Sequence, residues 1–381
     1  MRVAMALAGS DWGRSGIGIY LREVLPRLIG RLRARGDTLL AFGTGRDLSA
    51  YAEVLDGAER ARLPALLDRA GASALFHLTF AGAYARLRSA DVLLLPAANR
   101  RLTLRAPLPT VAVVHDLAQL HVARKYDPLR QAYVRFVVTH ALGRSDRLVA
   151  VSDATRRDLA ETLGRDGSDI RVVLNGVDFE RFEPMAADSE PVLGARAATG
   201  LQGPYVLYAS RLEHPGKNHL RLLRAFAASR ARDTHVLALA GKDWGAGSLI
   251  EEEQQSLGLG DRVRLLGFVD DEHLAGLVAG ADAVGMVGLR EGFGLPALEA
   301  LAAGRPVFAS SAGALPEVVG PLGALCDPLD EGAIRAALER ALFEEDFRER
   351  ASAQGPAWAA ERGWDRTVEG LLEACDEAVA R

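Results

Sequence analysis

The segment Arg290–Ala303 reads Arg-Glu-Gly-Phe-Gly-Leu-Pro-Ala-Leu-Glu-Ala-Leu-Ala-Ala and sets two carboxylates, Glu291 and Glu299, around a glycine-bearing turn that opens a helix. Gly292 and Gly294 permit a tight turn and close backbone approach, and Pro296 suits a first helical turn, where a missing N–H costs nothing. The amides of Gly292, Phe293, Gly294 and Leu295 then face an anion, helped by the positive end of the helix dipole. Acids beside an anion site call for a neutral ligand as well. Sugar and ribose hydroxyls supply the donors that an ionised carboxylate accepts. The plain alternative is a loop-to-helix junction with an exposed acid on each side.

Further along the same logic, Ser210-Arg211-Leu212-Glu213-His214-Pro215-Gly216-Lys217-Asn218 follows an apolar strand. Arg211 at the strand end and Lys217 after a Pro-Gly turn converge on one point, and two cations there ask for an anion such as a diphosphate. A solvated basic loop is the alternative. Lys217 is one of only three lysines, with Lys125 and Lys242, among 46 basic residues, so each marks a place where a compact ammonium replaces the prevailing guanidinium. Weaker signals sit at other strand ends: Ser15-Gly16-Ile17-Gly18, short of a full dinucleotide fingerprint because Leu21 stands where a third glycine belongs, and Val113-Val114-His115-Asp116. Val151-Ser152 and Asn175-Gly176-Val177-Asp178 shape a cleft or are simply turn residues.

These residues need a scaffold, and the chain supplies strands alternating with helices. Apolar strands are expected at Met1–Ala8, Thr38–Phe42, Leu75–Leu78, Val92–Leu95, Thr110–Val114, Arg147–Val151 and Ile170–Leu174, with helices over Ile19–Arg35, Pro128–Arg144 and Asp153–Leu163. Glu183–Gly203, rich in Ala, Gly, Pro and acids without strong periodicity, reads as a linker. The alternation then restarts from Tyr205–Ala209 and runs to a last helix near Trp364–Ala380. The expectation is an α/β chain of two parallel-sheet units, residues 1–190 and 200–363, with the helix 364–381 packing back on the first and ligands at a cleft between strand ends.

Composition narrows the function. At 381 residues the chain exceeds one ordinary core. No apolar run approaches a membrane span, and Val3–Ala8 reads as a buried strand and not a signal peptide, so a cytoplasmic location is expected. Cys326 and Cys375 carry no disulfide or zinc pattern, and no Asp-x-Asp metal motif is evident. A net charge of -4 argues against a nucleic-acid partner. Leu21–Arg35 interleaves arginines with leucines, which suits either an anionic membrane surface or a core-packed helix with a solvated basic face.

Taken in order, Ser-Arg-Leu with Lys217, Ala240-Gly241-Lys242, Leu266-Gly267-Phe268-Val269, the Glu291–Glu299 block, Gly304-Arg305-Pro306-Val307 and Gly313–Glu317 resemble the family 4 glycosyltransferases. His115-Asp116, Val151-Ser152 and Asn175–Asp178 extend the likeness over nearly the whole chain. The resemblance implies the GT-B fold, two Rossmann-like domains with parallel sheets facing a central cleft, and a retaining, metal-independent transfer from a nucleotide sugar with no cofactor. By that resemblance Arg211 and Lys217 hold the donor diphosphate, Glu299 the ribose and Glu291 the transferred sugar. The Gly292–Leu295 backbone lines sugar and phosphate, Phe268 and Val269 flank the base, His115 lies near the sugar, and Gly16 with Gly18 faces the diphosphate. Two departures concern the sugar's identity: the Glu-His-Pro-Gly stretch before Lys217, and Leu289-Arg290 ahead of Glu291. The resemblance favours a GDP-sugar, mannose foremost, with UDP or dTDP open, and a glycan or lipid-linked acceptor in polysaccharide, lipopolysaccharide or glycolipid assembly. Competing readings are a nucleotide-sugar epimerase on the same fold and a non-catalytic nucleotide-sugar-binding subunit.

Overall fold

The computed structural model describes residues 1–13, 15–117 and 133–380. Lys125 and the front of the helix expected over Pro128–Arg144 lie outside the described residues; from Tyr133 onward that stretch is a π-helical segment, Tyr133–Val138, running into an α-helix, Thr139–Leu142. The chain divides into two compact units, Met1–Gly176 with Trp364–Arg381, and Val177–Gly363.

In the first unit seven parallel strands, β1 (Arg2–Ala6), β2 (Thr38–Thr44), β3 (Glu59–Leu63), β4 (Val92–Leu95), β5 (Thr110–Val114), β6 (Arg147–Ala150) and β7 (Ile170–Val172), lie in the order β3-β2-β1-β4-β5-β6-β7. Strands β4 and β5 are buried along their whole length, as sheets covered on both faces require. The helix Gly16–Ala34 buries Tyr20, Leu21, Val24, Leu25, Leu28 and Leu32. The terminal helix Trp364–Val379 packs on it and buries Val368, Leu371, Leu372 and Cys375. Arginines fasten that helix: Arg35 to Asp376 at 2.8 Å, Arg31 to Asp365 at 3.4 Å and Arg147 to Glu377 at 3.1 Å. The apolar stripe within Leu21–Arg35 is therefore spent on the core, and part of its basic face is spent on acids of the last helix. Of the two readings of that segment, the core-packed helix is the one the structure shows.

The second unit repeats the plan with β8 (Tyr205–Ala209), β9 (Val236–Ala240), β10 (Val263–Gly267), β11 (Ala283–Met286), β12 (Val307–Ser310) and β13 (Gly323–Cys326), all parallel, in the order β10-β9-β8-β11-β12-β13. Its core is built from Val206, Tyr208, Leu237, Leu239, Phe226, Phe308 and their neighbours.

Three expectations need correction. Leu75–Leu78 is not a strand; it lies inside the helix Ala70–Thr79, where His77 bonds the Ser73 carbonyl one turn earlier at 2.7 Å. The strand beside β2 is instead β3, whose Arg-rich sequence hides an alternation that buries only Ala61 and Leu63. Glu183–Gly203 is not a bare linker, because it carries the helix Glu190–Thr199, with Pro191 in its first turn and Gly200 closing it at φ 68°. Val192 and Ala195 bury that helix against Asp271–Ala279, whose Gly276 leaves no room for a Cβ beside the Pro191 carbonyl, 2.1 Å away.

Candidate functional site

At the carboxyl end of β8 the chain continues alongside the end of β9: Ser210 N–H donates to Ala240 O at 2.9 Å, Leu212 N–H to Lys242 O at 2.9 Å, and Trp244 N–H to Leu212 O at 2.9 Å. Gly241 makes this possible, since a Cβ there would lie 2.0 Å from the Ser210 carbonyl oxygen. Lys242 itself is exposed. The loop then turns back and is pinned from several sides. Tyr208 O–H donates to Lys217 O at 2.6 Å, and Leu289 N–H donates to Gly216 O at 2.9 Å. Asn218, at φ 59°, donates through Nδ2 to Val287 O at 3.0 Å and Pro328 O at 2.7 Å. Lys217 is thus delivered to the end of β11 by backbone geometry, not by a flexible side chain alone.

There it meets Glu291. The ammonium donates to Oε1 at 2.9 Å and Oε2 at 2.8 Å, and both side chains are largely buried. Glycines set the fit: a Cβ on Gly288 would sit 2.4 Å from Glu291 Oε1, and one on Gly313, at φ 67°, 2.5 Å from the Glu291 carbonyl oxygen. Ala314 N–H donates to that oxygen at 3.0 Å. Three residues on, Gly294 takes φ 101° and opens the helix Leu295–Ala302 with Pro296 in its first turn and no side chain capping it. Glu299 is buried one turn inside this helix.

Arg211 behaves differently from the expectation of two cations facing an empty anion site. Its Nε–H donates to Glu213, and its guanidinium lies 4.8 Å from the centre of the half-exposed Trp244 ring. Each cation therefore already has a carboxylate of its own. Counting donors shows what remains: an ammonium has three N–H groups, of which Glu291 takes two, while the guanidinium keeps four beyond its Nε–H. Glu213 and Trp244 were not singled out from the sequence; the one signal was Glu213 two positions after Arg211. Phe268, exposed, and Val269, half-buried, follow Gly267, whose carbonyl accepts Gly241 N–H at 2.7 Å.

In the first unit His115 sits just past β5, buried, with Nε2–H donating to Pro96 O at 2.8 Å and its ring edge-on to Tyr20, centroids 4.7 Å apart. Burial drives its pKa down to about 4, so the ring is neutral and Nδ1 is the acceptor nitrogen. Asp116, beside it, is half-buried. Ser152 caps the helix Asp153–Leu163 by accepting Thr155 N–H at 3.0 Å, a structural duty. Asn175 is buried with no partner for Oδ1 among the described residues. Gly18 is demanded by packing, since its Cβ would lie 2.5 Å from the Gly13 backbone, whereas Gly16, in the first turn of Gly16–Ala34, has open space around it. Among the described residues no cluster of three or more His, Cys, Asp or Glu offers a metal site.

Two parallel Rossmann-like sheets, with a helix-opening glycine turn at the end of β11, are the architecture of the GT-B fold. The family model described as Glycosyltransferase Family 4 matches residues 17–181, and that described as Glycosyl transferases group 1 matches residues 195–358. The chain is 34% identical over 289 residues to the D-inositol 3-phosphate glycosyltransferase of Salinispora arenicola, an alignment covering 72% of this chain and 64% of that one, just under two thirds of the relative's length. It is 31% identical over 268 residues to the O-antigen chain mannosyltransferase B of Escherichia coli, covering 69% of each. The chain belongs to the family 4 glycosyltransferases. Anabaena HepE, solved with UDP and glucose, shares the fold at a TM-score of 0.76, with 18% identity and 98% of both chains covered.

Proposed function

We propose that the protein transfers a hexose, mannose foremost, from a nucleotide diphosphate sugar to an acceptor hydroxyl with retention of configuration. The observation that carries this reading is the Lys217–Glu291 pair held at 2.8 Å beside the glycine turn that opens Leu295–Ala302. As the anomeric C–O bond breaks, negative charge builds on the departing diphosphate. The third ammonium N–H of Lys217, the terminal N–H groups of Arg211 and the amides of Gly292–Leu295 are fixed donors for that charge and need no reorganisation at the moment of reaction. The acceptor oxygen bonds the anomeric carbon on the face the diphosphate leaves, and its proton passes to the leaving phosphate oxygen. No enzymic nucleophile is required, and Glu291 orients Lys217 and sugar hydroxyls.

Ribose hydroxyls fall to Glu299, and the base to the strand end at Phe268 and Val269. The mannosyltransferase relative favours mannose and the donor-loop sequence favours GDP; the UDP in the Anabaena neighbour keeps UDP-sugars in contention. A thermal-shift series with GDP, UDP, dTDP and ADP tests the donor: the preferred base raises the melting temperature by mass action, and no response to any of the four would overturn the reading. Donor incubated alone distinguishes transfer from epimerisation, since slow hydrolysis is expected and an epimer is not.

A further inference from the structure

The helix Ala70–Thr79 packs Phe76 on the core but also turns apolar side chains outward. It carries no charged residue, and two of its three polar side chains, Ser73 and His77, are buried: Arg101 Nε–H donates to Ser73 Oγ at 3.0 Å, and the His77 ring stacks on Phe42 at 6.4 Å. Of its two leucines Leu75 faces out, 60% exposed, while Leu78 is half-buried. The next helix, Ala81–Leu87, continues the face, because Phe80, Ala83 and Leu87 are spaced three and four apart, and Phe80 and Leu87 are 60% and 83% exposed. Leu66, 60% exposed, adds a fourth apolar side chain from the short turn Ala65–Asp68 that packs on Ala70–Thr79. From Ala70 to Leu87 the only charge is Arg86. A surface helix ordinarily turns a polar face to water, and a contiguous exposed apolar patch marks an interaction site.

The rim identifies the partner. Arg69, Arg86, Arg88 and Arg105 are exposed around the patch. Arg105 is brought there because Leu104 N–H donates to Leu78 O at 2.9 Å and Gly82 lets Ala106 pack against the second helix. Asp68 is an acid on this border, and Glu59 is shared by Arg2 at 2.5 Å and by Arg88 at 4.0 Å. A basic rim on a chain of net charge -4 is a local arrangement, not a consequence of composition. A second copy docked here about a two-fold axis would set arginines against arginines, which is unfavourable. A bilayer bearing anionic headgroups meets both demands, taking leucine and phenylalanine into its acyl boundary and pairing the arginines with phosphates.

We propose that Leu66, Leu75, Phe80 and Leu87, rimmed by these arginines, dock the protein on an anionic lipid bilayer. This is a different surface from Leu21–Arg35, and it does not depend on the donor chemistry above. Flotation of the full chain with phosphatidylcholine vesicles, with and without phosphatidylglycerol, tests it. Binding is expected only to the anionic vesicles and falls with added salt. Phe80→Ser with Leu87→Ser weakens partitioning at least about tenfold, and Arg86→Ser and Arg88→Ser about fivefold each, at an unchanged unfolding midpoint. If the Phe80 and Leu87 changes disturb folding, Leu66→Ser on its separate element carries the same test. No flotation with anionic vesicles, or flotation unaffected by these changes, overturns the proposal. So does a wild-type dimer in sedimentation equilibrium that the same substitutions dissolve.

Discussion

Breaking the Lys217–Glu291 pair has a calculable cost. At 2.8 Å and an effective dielectric near 20, Coulomb attraction is roughly 6 kcal/mol. Desolvation returns much of it, since side chains only 19% and 10% exposed have lost most of their water. A net coupling of about 2 kcal/mol remains, between an exposed pair and a fully buried one. Lys217→Ala leaves a carboxylate confined by Gly288, whose missing Cβ would lie only 2.4 Å from Oε1, so Glu291 has little freedom to turn toward water. We therefore expect Lys217→Ala and Glu291→Ala each to destabilise the second unit by about 3 kcal/mol, and the double variant by about 4. Native-state amide exchange in β8 and β11 reads this unit separately from the other. Additive single effects, agreeing within about 0.5 kcal/mol, would show that the two side chains are not coupled.

Other expectations follow from the same geometry. Gly276→Ala forces a Cβ toward the Pro191 carbonyl and should cost the second unit about 2 kcal/mol by urea denaturation; an unchanged midpoint would remove Glu190–Thr199 from that unit's core. Ending the chain at Gly363 deletes the helix that buries Leu371 and Leu372, and protection of β5 and β6 in amide exchange should be lost. Burial holds His77, His115 and His219 down to about 4 from the ordinary 6.5. Below pH 6.5 the unfolded chain binds protons that the folded one refuses, so stability present above that pH is lost as pH falls toward 4, by up to about 3 kcal/mol per histidine. A pH series of unfolding midpoints checks the sign: these residues contribute no slope above pH 7 and a falling midpoint below it.

Much of this was legible in the sequence because buried parallel strands announce themselves as unbroken apolar runs, as Val92–Leu95 and Thr110–Val114 do. Leu75–Leu78 imitates such a run, and four apolar residues cannot by themselves separate strand from helix. The edge strand β3 was hidden by charges on its solvent face, and Glu190–Thr199 by a stripe of only two buried residues whose stability comes from its neighbour. At the site, Lys217 and Glu291 could each be singled out near strand ends and a glycine turn, but their direct ion pair was not expected. The pairing of Arg211 with Glu213 and Trp244 could not, because it depends on the path of a loop fixed by Asn218 and Tyr208. The basic amphipathic Leu21–Arg35 was ambiguous for the opposite reason: its pattern suits a membrane and a core equally, and the terminal helix claims it.

We propose that Lys217 grips the diphosphate of a nucleotide-sugar donor. Isothermal titration of nucleoside diphosphates into the wild-type chain and Lys217→Ala tests it most directly. One base is expected to bind clearly better than the others, with affinity reduced about 10²-fold by the substitution, the scale of one lost charge-assisted contact. Binding of equal strength to both proteins would contradict the claim.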